Sequence, residues 1–188
     1  MSPRKGLDLL TIVEAAVQIA DTSGIEEVTL ASLAQKLGIR SPSLYNHIEG
    51  INGLRVQMAI YGIKKLTSSV QEALADRTGD EAIHAVAAAY IAFARAHPGL
   101  YELTLRAPEA GHEAYEAAAQ HLLDLLVQVL GLYQLDQESS IHVVRGLRSL
   151  LHGFASIEQK GGFGLPQSVD ESLHRVINIY LAGLHRIK

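Results

Sequence analysis

Residues 29–48, TLASLAQKLGIRSPSLYNHI, read as two short helices joined by a glycine turn. Thr29 can cap the first helix through its hydroxyl, and Leu30, Leu33, Ala34 and Leu37 follow at i, i+3, i+4 and i+7. Gly38 stands where a left-handed residue ends a helix. Ile39 is an apolar plug after the turn, Ser41 a second capping residue, and Pro42 suits the first helical position. In the second helix Leu44 and Ile48 share a buried side, which leaves Pro42, Ser43, Tyr45, Asn46 and His47 facing outward. A short helix with that outer face suits contact with a polar surface. The arrangement is that of a helix-turn-helix, whose second helix enters the DNA major groove.

The segment resembles the DNA-binding motif of the tetracycline-repressor (TetR) family of bacterial transcriptional regulators. LAQKLGIRSPSLYNHI is similar to that family's pattern of Leu-Ala, Gly-Ile/Val, and Leu-Tyr-x-His followed by an apolar residue. The likeness starts near Leu10 with an amphipathic helix, passes Gly24 and Ile25, and fades after Leu54. It implies a helix-turn-helix DNA-binding domain over 1–52 and a ligand-binding and dimerisation domain over 53–188. Carried over residue by residue, the groove-facing positions are Ser41, Pro42, Ser43, Tyr45, Asn46 and His47, with Thr29 and Ala31 on the preceding helix. Tyr45, His47, Ser43 and Thr29 would bond phosphates, Asn46 could pair with adenine, and Pro42 could meet a thymine methyl. Ala31 replaces a base-reading arginine of the tetracycline repressor, and Ile51 replaces a lysine that grips the backbone in most members. Arg40, or Arg4 and Lys5 in the N-terminal arm, are the candidates to compensate. Without the motif in register, Tyr45 and His47 would read as surface cover for a small subdomain.

Composition bounds the partners. The 188-residue chain is 48% hydrophobic, lacks cysteine, and carries a net charge of -4. Residues 1–65 hold seven Lys/Arg and six Asp/Glu, a net +1, and the remainder is net -5. DNA binding would therefore rest on a few placed groups and depend on salt. No disulfide or thiolate metal site is available. No apolar run approaches a membrane span of ~20 residues, and the N-terminus has no signal-peptide core. A cytoplasmic protein is the expectation.

Helical periodicity dominates throughout, which predicts an all-α protein of about nine helices, a three-helix head and a larger body. The first helix is expected over 8–23, and Gly50 to Gly53 reads as a break before a long helix from Asn52 to about Asp76. Asp80 is placed to cap the next helix, which ends near His97, Pro98 and Gly99. A short helix over 100–106 closed by Pro108 follows, then helices over 112–131, 137–160 and 169–186. HPGLYELTLRAPE and RSLLHGFASIEQKGGF resemble one TetR subgroup with a His-Pro-Gly-Leu-Tyr stretch and a Trp/Leu-His-Gly motif, here Leu151, His152 and Gly153.

In the helix over 137–160, Gly146, Ser149, Gly153 and Ser156 form a seam of small residues beside an apolar face of Val144, Leu147, Leu151 and Phe154. The last helix offers Leu173, Val176, Ile177, Tyr180, Leu181 and Leu184. These two helices are candidates for an isologous dimer interface, with Gly146, Ser149, Gly153, Ser156, Val176 and Tyr180 at the contact; the same seam could instead pack within the monomer. Tyr61, Tyr90, Phe93, Tyr101, Leu105, Leu126, Leu130, Leu147, Leu151 and Phe154 could line a ligand cavity with His152 as polar anchor, or be core. His142 and His152, like His112 and His121, lack metal-ligand spacing, so no metal or other cofactor is expected.

Two readings remain. One is a homodimeric regulator, a repressor in its simplest form, that binds a palindromic double-stranded operator and is released by an unidentified small-molecule effector. The other is a protein of the same fold without operator binding, acting as a protein-interaction or small-molecule-binding module. No acid/base constellation points to an enzyme.

Overall fold

A computed structural model describes residues 7–105 and 112–187, which form helices and connecting turns with no strand. The α-helices are α1 (Leu9–Ser23), α2 (Leu30–Leu37), α3 (Gly50–Leu74), α4 (Gly79–Ala96), α5 (Pro98–Leu103), α6 (Glu113–Val129), α7 (Gln137–Gln159) and α8 (Val169–Leu184). A 3-10 helix, Ser41–Asn46, lies between α2 and α3 and is called the reading helix below. No helix among the described residues is long and apolar enough to cross a membrane. Arg4, Lys5, Arg106 and Pro108 lie outside the described residues.

The chain divides into two compact units: Met1–Lys64 with Ala96–Ala118, and Lys65–Arg95 with Ala119–Lys188. In the first, Asp8 caps α1 by accepting from the Thr11 N–H at 2.7 Å. The helix buries Ile12, Val13, Ala16, Val17 and Ala20, while Leu9 at its start stays 37% exposed. α1 packs on α2 and α5, and α2 on the reading helix. A long-range apolar core follows, with Leu33, Leu44, Leu54, Met58 and Leu100 at 0% exposure. α3 already begins at Gly50, so the expected break at Gly50 to Gly53 is helix. Glycine costs a helix only ~1 kcal/mol, and burial of Leu54 and Met58 outweighs that.

In the second unit α7 packs on α8. The Tyr180 hydroxyl donates to the Val143 carbonyl at 2.5 Å. Arg95 of α4 donates to Glu158 of α7 at 2.9 and 2.7 Å and to Asp170 of α8 at 2.6 Å. Those bonds raise its already high pKa, so the guanidinium stays charged at every accessible pH. The expected cap Asp80 lies instead inside the first turn of α4. Its carboxylate accepts from the Tyr133 hydroxyl at 2.7 Å and from His185 Nε2 at 2.9 Å. Local capping lost here to partners brought in by tertiary packing.

The Tyr133 and His185 hydrogen bonds hold the Asp80 carboxyl below its ordinary value of 3.8. A depressed carboxyl stabilises the fold above its unfolded pKa and loses that contribution as pH falls through the folded one. Asp80→Asn should therefore lower the melting temperature at neutral pH, and the deficit should shrink below about pH 4. Thermal melts of parent and variant across that range check this; a deficit independent of pH would contradict it.

Candidate functional site

The helix-turn-helix is built locally. The Thr29 hydroxyl accepts from the Ser32 N–H at 3.0 Å and the Ser32 hydroxyl accepts from the Thr29 N–H at 3.0 Å, a reciprocal capping box. Ser32 also donates to the Glu27 carbonyl at 2.7 Å, tying α2 to the preceding turn. Gly38 ends α2 in the left-handed region at φ 66° and ψ 31°, where a side chain would be strained. Ile39 comes out half-buried instead of in the core, and its N–H bonds the Ala34 carbonyl at 3.0 Å.

The reading helix differs from the expected form. Arg40, not Ser41, is its N-cap, without a side-chain bond, and Ser41 and Pro42 occupy the first two helical positions. Backbone bonds run i to i+3, from Ser43 N–H to the Arg40 carbonyl and from His47 N–H to the Leu44 carbonyl, each 2.9 Å. Ser41 cannot cap because it is already inside the element, whose six residues make a longer 3-10 run than the usual three or four. Leu44 at 0% and Ile48 at 5% exposure pin one side of this segment into the core. The opposite side carries Pro42, Tyr45, Asn46 and His47, all exposed, with Tyr45 at 62%. Ser41 and Ser43 are half-buried at its edge. Thr29, Ala31 and Arg40 are exposed as well, although the Thr29 hydroxyl is engaged by Ser32 at 3.0 Å. The arrangement offers hydrogen-bonding and aromatic groups on a rigid base, with little formal charge.

The candidate pocket residues fall in both units. Tyr101 is buried and Tyr61 and Leu105 half-buried in the first. In the second, Tyr90, Phe93, Leu130, Leu147 and Leu151 are buried, and Leu126, His152 and Phe154 half-buried. Phe154 tilts against Phe163 of the loop after α7, with ring centroids 4.8 Å apart. It is thus a loop anchor as much as an interior residue, a partner its helical stripe did not show. No group of three or more His, Asp or Glu among the described residues is arranged to hold a metal ion.

The seam on α7 divides into two parts. A Cβ on Gly146 would sit 3.4 Å from the Tyr180 hydroxyl, in ordinary contact with α8 of the same chain. A Cβ on Gly153 would meet nothing within 4 Å. Gly146 and Ser149 are exposed, and Gly153, Ser156, Val176 and Tyr180 half-buried. Beside them stand Ile157 at 46% and Ile179 at 71% exposure, two large apolar side chains that the sequence reading missed. Ile179 lies three residues from Val176, and the surplus of apolar residues on α8 was the available signal.

The all-helical fold and the exposed reading helix define a helix-turn-helix protein. A family model described as the tetracyclin repressor-like C-terminal domain matches residues 83–180. The Bacillus subtilis (strain 168) protein YobS, named an uncharacterized HTH-type transcriptional regulator, is 39% identical over 186 residues, 98% of this chain and 96% of its own. An uncharacterized HTH-type transcriptional regulator of Mycobacterium tuberculosis is 34% identical over 152 residues, 80% of this chain and 70% of its own. Among solved structures, a Rhodococcus sp. RHA1 protein of unknown function superposes with a TM-score of 0.84 at 21% identity, covering 99% of this chain and 100% of that one. A TetR variant from Acinetobacter baumannii AYE in complex with minocycline gives 0.72 at 15% identity, covering 96% and 98%. At such identities these two structures show the fold alone. The chain belongs to the TetR family of HTH-type transcriptional regulators.

Proposed function

We propose that this protein is a homodimeric repressor that reads a palindromic operator with Ser41–His47 and releases it when a small molecule binds its body. The observation that carries the reading is the two-sidedness of the reading helix: Leu44 and Ile48 buried, Tyr45, Asn46 and His47 exposed. Residues 1–52 would supply the DNA-binding part and 53–188 the effector and dimer contacts. One such head covers a half-site, so a two-fold partner is needed for a palindrome. The half-buried Gly153 and Val176 and the exposed Ile157 and Ile179 suit a second copy of the same face. An effector is in keeping with the minocycline held by the Acinetobacter baumannii TetR. It would act through its unequal affinity for two body conformations.

Ala31 and Ile51 favour a second reading, a protein of this fold that binds no operator. Gel shifts against DNA flanking the protein's own gene separate the two. Once a duplex is retained, Tyr45→Phe should weaken binding similarly across sequences. Asn46→Ala should relax preference at one base pair by ~1–3 kcal/mol. Parent-like binding by both variants would remove this helix as the reader.

A further inference from the structure

Arg55, in the second turn of α3, carries a guanidinium that the folded chain leaves under-used. Among the described residues its Nε is the one buried side-chain nitrogen or oxygen that meets no hydrogen-bond partner. Its Nη2 stands 3.9 Å from Glu26 Oε2, an ion pair too long to be a hydrogen bond. The two side chains are 40% and 89% exposed, so water screens that attraction. Nε and Nη2 form one edge of the guanidinium, the kind of edge that meets a carboxylate or a phosphate through two parallel bonds. Here neither nitrogen has an acceptor at bonding distance. A buried N–H without an acceptor costs free energy, which the side chain recovers by turning towards one.

The surroundings of Arg55 belong to the helix-turn-helix. Glu26 precedes Thr29 by three residues. The turn that carries it is tied to α2 by the Ser32 hydroxyl, which donates to the Glu27 carbonyl at 2.7 Å. Along the chain, only residues 47–49 separate the reading helix from α3. Arg55 therefore stands beside the turn that leads into α2, on the helix that follows the reading helix. The first turn of α3, Gly50 to Gly53, holds no cation, so Arg55 is the first on that helix. Residues 7–60 contain three Lys/Arg (Lys36, Arg40 and Arg55) against six Asp/Glu. Where cations are so few, each one that reaches a phosphate weighs heavily in the affinity.

We propose that Arg55 is a backbone-phosphate contact held in waiting by Glu26: in the free chain its guanidinium leans on that carboxylate, and on duplex DNA it turns to a phosphate. The inference rests on the operator-reading function proposed above. A phosphate offers the paired acceptors that the Nε–Nη2 edge lacks, and it replaces the negative charge of Glu26. Such a contact adds affinity and fixes position without reading a base. Glu26 opposes binding twice, by holding the guanidinium and by standing as a like charge near the phosphates.

The test uses the full-length chain and duplexes that it retains from a randomised library, with affinity measured between about 50 and 200 mM salt. Arg55→Gln should weaken binding about tenfold at the low-salt end and flatten the slope of log K against log salt by about one. The loss should be the same for the selected duplex and for versions with single base-pair changes. Arg55→Lys keeps the charge and should restore the slope. Glu26→Gln should tighten binding roughly twofold to fivefold, the scale of an exposed ion pair. Most of that gain should be lost when Arg55→Gln is present as well. Thermal melts accompany every variant. An Arg55→Gln protein that keeps the parent's salt slope, whether or not it melts early, would make Arg55 a packing residue and overturn the proposal. A Glu26→Gln gain undiminished without Arg55 would reduce Glu26 to long-range repulsion and overturn the handover. A parent that retains no duplex at all would sink the operator reading itself, and the phosphate contact with it.

Discussion

Gly99→Ala should destabilise the protein by about 3 kcal/mol or more, the upper end for adding a methyl group to a packed site, and lower its melting temperature by roughly 10 °C. The added Cβ would fall 2.2 Å from the Ala20 carbonyl oxygen, 2.3 Å from its carbon and 2.8 Å from the Ala20 Cβ. Those are backbone and near-backbone atoms, which cannot swing aside as the tip of a side chain would. The oxygen in question also accepts the Gly24 N–H at 3.0 Å, the bond that closes the end of α1. Relief by shifting α1 would break that cap and disturb Asp21 one residue on, whose carboxylate accepts from the Leu100 N–H at 2.9 Å. Alanine's lower unfolded-state entropy offsets only ~0.4–1 kcal/mol. The measurement is thermal or urea unfolding of the full chain beside Gly131→Ala, where a Cβ would meet nothing within 4 Å. A Gly99→Ala protein that melts with the parent would show that α5 does not sit this closely on α1.

The sequence made the helix-turn-helix legible because its determinants are local. Thr29 caps the helix through the N–H of Ser32 three residues on, Gly38 turns the chain at its own φ, and Leu44 with Ile48 marks the buried side at a spacing of four. Each can be read within one turn of its neighbours. The misreadings share an opposite cause. Asp80 looked like a cap because it follows a glycine, but Tyr133 and His185, 53 and 105 residues away, claim its carboxylate. Gly99 looked like a stop beside Pro98, yet its role is to let two helices touch. Asp21 had no local partner to betray it, since the N–H it caps is 79 residues downstream. The surplus of apolar residues on α8 pointed to more than one covered side, but did not single out Ile179, which is 71% exposed. Side chains held by distant partners, or left bare for a missing one, have no signature in a short window.

Gly153→Leu should convert the protein to a monomer and cost two to four orders of magnitude in affinity for a palindromic duplex, the gain that linking two binding modules provides. The reasoning starts from what the substitution does not disturb. A Cβ at Gly153 meets nothing within 4 Å in the chain itself, and leucine is a better helix former than glycine by ~0.8 kcal/mol. The monomer should therefore fold at least as well as the parent. A second chain approaching the small-residue seam would meet the new isobutyl group where two helices need close contact. Ile179→Glu attacks the same face from α8 by burying a charge, at a residue 71% exposed within one chain, so it too should leave the isolated chain folded. Gly146→Leu is the contrast, because its Cβ would already contact the Tyr180 hydroxyl of the same chain at 3.4 Å, so its effect on stability reports packing within one chain. Sedimentation and thermal melts of all three, with binding to palindrome and half-site duplexes, separate the effects. If Gly153→Leu and Ile179→Glu both sediment as the parent does, the exposed face of α7 and α8 is not where two copies meet.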